Sequence, residues 1–133
     1  MKQTYSGGCH CGAVRYEADL DLEQGTVKCN CSICSKARAW LVAVEGDGFR
    51  LLRGADALSE YQFGAHRIHH LFCRHCGIKS FGRVDGADGK GFAVVLVNCL
   101  ENVPDERLAA LPVMYIDGRD DRVDAAPAVT RHL

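Results

Sequence analysis

Seven of the eight cysteines in this chain fall into three short groups, and this spacing constrains the fold more than any other feature of the sequence. Cys29-Asn30-Cys31-Ser32-Ile33-Cys34 packs three thiols into six residues. Cys9-His10-Cys11 stands near the start and Cys73-Arg74-His75-Cys76 past the middle. Thiols this close together are disulfides, metal ligands or redox pairs. The opening residues, Met1-Lys2-Gln3-Thr4-Tyr5, contain no apolar stretch of the kind that directs secretion, so the expected address is the cytoplasm. That compartment keeps thiols reduced, which argues against a disulfide framework. There the same density of cysteines reads as metal binding or catalysis.

The rest of the composition narrows the possibilities by exclusion. A length of 133 residues predicts one domain, spanning 1–133, with a modest core. The net charge of −1 gives no electrostatic reason to bind nucleic acid or an anionic membrane. No apolar run approaches the roughly 18 residues that a membrane-spanning helix needs. Nothing in the sequence sets an oligomeric state.

The chain reads as many short strands joined by glycine-rich turns, with little helix, which predicts a mainly β domain. Gln3 to Gly7 and Ala13 to Ala18 form a hairpin with Cys9-His10-Cys11-Gly12 at its turn. Thr26 to Cys29 is a short strand that runs into the three-thiol turn. Ala39 to Glu45 is a continuous apolar run of strand length, followed by Phe49 to Arg53. Leu58 to Phe63, Arg67 to Phe72, Ser80 to Val84 and Phe92 to Val97 complete the set of strands. One short helix is expected near residues 104–111, where Pro104, Asp105 and Glu106 make a good first turn and Pro112 a stop. The charged tail, 117–133, is expected to pack loosely.

Zinc prefers four ligands in a tetrahedron, with sulfur at about 2.3 Å. Cys73-x-x-Cys76-Gly77 is a knuckle that supplies two, and Cys9-x-Cys11-Gly12 is a matching half. Together they predict a closed four-thiolate site, although either Cys9 or Cys76 could instead be a small core residue. Cys29, Cys31 and Cys34 remain. Three thiolates leave one coordination position to something other than the protein, which separates a catalytic zinc site from a structural one. Three ligands also hold zinc less firmly than four, so this site is expected to be partly empty in purified protein. Lys36 and Arg38 are the local cations that would offset its negative charge. Two alternatives stay open: Cys99 could supply a fourth ligand, or Cys29 or Cys31 could be a plain thiol. Among the histidines, His66 and His70 share a face at strand period, and His70 is the best candidate for a general acid or base. Cys99 on its own reads as a small buried residue.

Taken in order, these motifs resemble the glutathione-dependent formaldehyde-activating enzyme family, also called the centromere protein V-like family. The resemblance rests on Gly8-Cys9-His10-Cys11-Gly12-Ala13-Val14, then Cys29-Asn30-Cys31-Ser32-Ile33-Cys34, then Tyr61-Gln62-Phe63-Gly64. His70-Leu71-Phe72-Cys73-Arg74-His75-Cys76-Gly77 and Val97-Asn98-Cys99-Leu100 complete it. It implies a β-tent of splayed strands stapled by zinc. It implies that Cys9, Cys11, Cys73 and Cys76 hold a structural zinc and that Cys29, Cys31 and Cys34 hold a catalytic one. It further implies a carbon–sulfur lyase whose small thiol partner is glutathione, joined to formaldehyde as S-(hydroxymethyl)glutathione. Lys36, Arg38, Arg67 and Lys79 are the cations available for glutathione's carboxylates. The competing expectations are a zinc-stapled interaction module without turnover, and a thiol redox protein using Cys31 and Cys34.

Overall fold

The computed structural model describes all residues, Met1–Leu133. Its first element is the expected hairpin, β1 (Gln3–Gly8) against β2 (Arg15–Leu20), antiparallel with Gly8 opposite Arg15. β2 alternates strictly: Tyr16, Ala18 and Leu20 are buried, whereas Arg15, Glu17 and Asp19 turn outward. Period-two alternation of this kind forms where one sheet face packs on a core. β5 (Phe49–Arg53) adds to β2 and completes a three-stranded sheet in the order β1-β2-β5.

The second sheet has seven strands. In chain order they are β3 (Thr26–Cys29), β4 (Leu41–Val44), β6 (Leu58–Tyr61), β7 (Ile68–Cys73), β8 (Phe81–Val84), β9 (Phe92–Leu96) and β10 (Val113–Ile116). Their spatial order is β10-β3-β4-β9-β8-β7-β6. Every pairing is antiparallel except β10 with β3, which runs parallel with Ile116 opposite Cys29. The mainly β character expected from the sequence is therefore what the chain adopts, and most strand boundaries fall within two residues of those expected.

Three aromatic rings lock the sheets together. Tyr16 and Phe49 come from the small sheet and Phe81 from the large one, with centroids 4.7–5.7 Å apart in tilted and edge-on geometry. Such pairs add about 0.5–1.5 kcal/mol each beyond the area that they bury. The Tyr16 hydroxyl, fully buried, donates to the Ser80 carbonyl at 3.0 Å, so the ring carries no orphaned polar atom.

Two features differ from the sequence expectation. The helix near 104–111 is present as α2 (Asp105–Ala110), but a second helix, α1 (Ser32–Ala37), follows Cys31 where only a turn was expected. The sequence Ser-Ile-Cys-Ser-Lys-Ala has no strong helical periodicity, and the helix has no buried residue. It is held by its ends: Cys31 is extended at the N-cap, and Arg38 closes the C-terminus in the left-handed region. The strand β10 was also not foreseen; only Leu111 and Pro112 separate its four residues from α2. No helix is long and apolar enough to cross a membrane.

Candidate metal centres and the adjoining cleft

The hairpin turn between β1 and β2 and the knuckle after β7 converge. The Sγ atoms of Cys9, Cys11, Cys73 and Cys76 all lie within 4.8 Å of one another. Cys9 and Cys11 are 3.7 Å apart, and Cys11 and Cys73, distant in sequence by 62 residues, are 3.6 Å apart. Four sulfurs at about 2.3 Å from a single tetrahedral ion stand about 3.8 Å from each other, so this donor set fits zinc. All eight cysteines are free thiols. Gly12 and Gly77 follow the two pairs with φ of +85° and +78°, the left-handed turn that folds each loop back over its sulfurs. The amides of Val14 and His75 then donate to Cys9 and Cys73 at 3.3 and 3.4 Å. The Ile78 and Cys11 amides pull the Cys76 thiol down to about 6. His10 and His75 point outward and are exposed, as expected for residues inside such knuckles.

The second group is built on a different principle. Cys29 ends β3, Cys31 caps α1 and Cys34 lies one helical turn further on. Residues three apart share one helix face, which brings Cys34 back beside Cys31. The three Sγ atoms lie within 4.8 Å of one another. Burial and the neighbouring Cys31 charge push the Cys34 thiol up to about 12. Three sulfurs converge, and this donor set too can hold zinc.

Cys99 does not join either group; its Sγ donates to the Lys79 carbonyl at 3.8 Å. The fourth-ligand alternative for Cys99 therefore has no geometric basis. His66 does not share a face with His70, because it lies before β7 in a turn with φ of +59°. Lys36 and Arg38 are exposed at the end of α1. The cation whose field reaches Cys34 is Lys79 instead.

Three residues that the sequence reading passed over shape the three-thiol site. The parallel register of β10 on β3 carries the chain beyond Ile116 alongside Asn30 and Cys31. Gly118 there packs directly on Cys29, close enough that a Cβ would collide with its Sγ. Asp117 accepts a hydrogen bond from the buried Asn30 amide at 2.9 Å, while the Arg119 amide donates to Asn30 Oδ1 at 3.0 Å. No motif marks this segment in the sequence, because its role depends on a strand pairing 87 residues away.

Beside Cys34 opens a cleft of about 610 Å3, within the size range of small-molecule sites. Trp40, Phe72, Ile78 and Leu96 are among its walls. At its floor Lys79 Nζ donates to His70 Nδ1 at 2.6 Å. Burial, and then the Lys79 charge, hold His70 below its ordinary value, so its ring is neutral at pH 7. Burial also lowers Lys79, opposed by the charges at Cys34 and Cys31. Phe63 stacks on His70 at 5.5 Å and Tyr61 on Phe63 at 5.8 Å, forming an aromatic rim.

Two splayed β sheets stapled through cysteine groups of metal-ligating geometry define a class of small β domain whose clusters can hold zinc. The sequence profile of the glutathione-dependent formaldehyde-activating enzyme family matches residues 4–116, and the chain belongs to that family. It is also similar to a protein from Rhodobacter sphaeroides of known crystal structure. The two are 34% identical, with a TM-score of 0.68, over 82% of this chain and 99% of the other.

Proposed function

We propose that this protein is a zinc-dependent carbon–sulfur lyase that acts on small thiol adducts of the S-(hydroxymethyl)glutathione kind. The observation that carries the proposal is the juxtaposition of a three-thiolate group, one donor short of a tetrahedron, with a cleft that holds a lysine–histidine pair. Cys9, Cys11, Cys73 and Cys76 would hold one zinc, which staples the fold. Cys29, Cys31 and Cys34 would hold the second. Zinc bound there supplies Lewis acidity toward a thiolate or a carbonyl oxygen.

The protein's own groups account for the rest. In the cleavage direction the carbon–sulfur bond breaks and its electrons stay on sulfur. The adduct's hydroxyl oxygen loses a proton as the carbonyl forms, and sulfur gains one, so the reaction is redox-neutral. Lys79, as an ammonium, offsets the charge of the neighbouring thiolates and is placed to bind the adduct. His70 Nδ1, neutral and buried, accepts from Nζ and keeps the amine aimed into the cleft. Trp40 and Phe72 present apolar surface to the group carried on sulfur. Eight free thiols suit a reducing compartment, which supports a cytoplasmic address.

The test is formaldehyde exchange with glutathione, measured on zinc-replete wild type, on Cys31→Ser and in buffer. Exchange above buffer in the wild type, lost in Cys31→Ser, is expected. Equal rates in all three would remove the formaldehyde reaction.

A further inference from the structure

The cleft beside Cys34 has a chemical bias that the family resemblance does not supply. Ten of its 15 lining residues are hydrophobic, and none is Asp or Glu. Its only cations are Lys79, at the floor, and Arg38, exposed at the mouth. Glutathione carries two carboxylates and an ammonium. Lys79 and Arg38 can meet the carboxylates, but the lining offers the ammonium no carboxylate, only neutral acceptors such as Asn98. An ammonium without a carboxylate counter-charge gains little there, and a polar peptide leaves the apolar surface without a partner.

The floor offers one strong anchor. Lys79 has three donors, and His70 Nδ1 takes one of them at 2.6 Å, leaving two for a ligand oxygen. The mouth offers aromatic surface that the core does not use: Tyr61 is 53% and Phe63 is 41% exposed, although they stack on each other and on His70. Apolar walls, an aromatic rim and a single half-buried cation suit a ligand with an apolar body and one anionic group.

We propose that this cleft takes an apolar thiol bearing a single carboxylate, held by Lys79, in preference to glutathione. This deepens the lyase reading and rests on it for the identity of the site. The reaction itself is unchanged; only the group carried on sulfur differs.

Trp40 lines the cleft and is the only tryptophan in the chain, so its fluorescence reports occupancy of this site without any turnover. The probes are glutathione, phenylethanethiol and the carboxylate-bearing mercaptophenylpropionate, titrated onto zinc-replete protein. Mercaptophenylpropionate is expected to bind about ten-fold more tightly than glutathione. In Lys79→Met, which keeps length and apolarity, its advantage over phenylethanethiol should disappear, by about ten-fold. Phenylethanethiol should bind that variant within about two-fold of wild type, which also shows that the cleft is still folded. Glutathione binding as tightly as either aromatic thiol, no quenching by any of the three, or an equal loss of all three in Lys79→Met would overturn the proposal. Formaldehyde release from each adduct is measured separately, so a thiol that binds without turnover sinks the lyase reading alone.

Discussion

Asn30 and Asp117, 87 residues apart in the chain, share a buried hydrogen bond of 2.9 Å immediately behind the three-thiol group. Asn30 lies between Cys29 and Cys31, and Asp117 follows the last residue of β10. The bond fixes the thiol-bearing turn against the C-terminal strand. Removing Asp117 leaves the Asn30 amide buried without an acceptor, at a cost of about 1–3 kcal/mol. Asp117→Ala is therefore expected to lower the urea midpoint accordingly. An unchanged midpoint would mean that the segment contributes nothing to holding the turn.

Gly118 approaches Cys29 more closely than a side chain permits. Gly118→Ala should displace Cys29 while leaving the four-cysteine group, built on other loops, intact. Zinc content after reconstitution with excess zinc and desalting should fall from about two ions per chain to about one. The melting temperature should fall little. Retention of both ions would show that Cys29 can move without cost.

The four-cysteine group joins the first hairpin to the knuckle after β7. A structural zinc contributes roughly 10–16 kcal/mol of apparent binding energy, against a typical domain stability of about 5–15 kcal/mol. The two are comparable, so Cys73→Ser, or exhaustive chelation under reducing conditions, should unfold much of the protein. Circular dichroism of verified metal-free protein is the check. A native spectrum with an unchanged melting temperature would show that the sheets hold without the staple.

His69 faces away from His70, and its two ring nitrogens meet Glu60 at 2.8 Å and Asp85 at 3.0 Å. The Glu60 carboxylate, then that of Asp85, raises its value above the ordinary 6.5. A group raised on folding stabilises the native state fully below its unfolded value, and the effect is lost as pH rises through the folded value. The destabilisation caused by His69→Gln should therefore be larger near pH 5.5 than near pH 8.5, a window that brackets the ordinary histidine value of about 6.5. Denaturation at the two pH values measures it. A difference of the opposite sign would mean that the ring is neutral in the native state.

Much of this molecule was legible because its ligands come in short local spacings. Cys73-x-x-Cys76-Gly77 and Cys9-x-Cys11-Gly12 specify their loops through glycine's access to positive φ, which is a property of a few adjacent residues. Strand alternation in Arg15–Leu20 likewise declares its buried face within six residues. The helix Ser32–Ala37 was not legible, since Ser-Ile-Cys-Ser-Lys-Ala is a weak helix former and is held by its flanks.

The sequence by itself determined a mainly β chain, two cysteine groups and the family to which they belong. Tertiary structure alone decided what surrounds the second group. The parallel pairing of β10 on β3 delivered Gly118 to Cys29 and Asp117 to Asn30. The folding of β7 beside the loop after the knuckle delivered Lys79 to His70. The physical reason is the range of the interactions: a thiol pair is set by neighbours along the chain, whereas a cleft is set by which distant strands share a sheet. The cation near the three thiols is accordingly Lys79, 45 residues beyond Cys34, and not the adjacent Lys36 or Arg38.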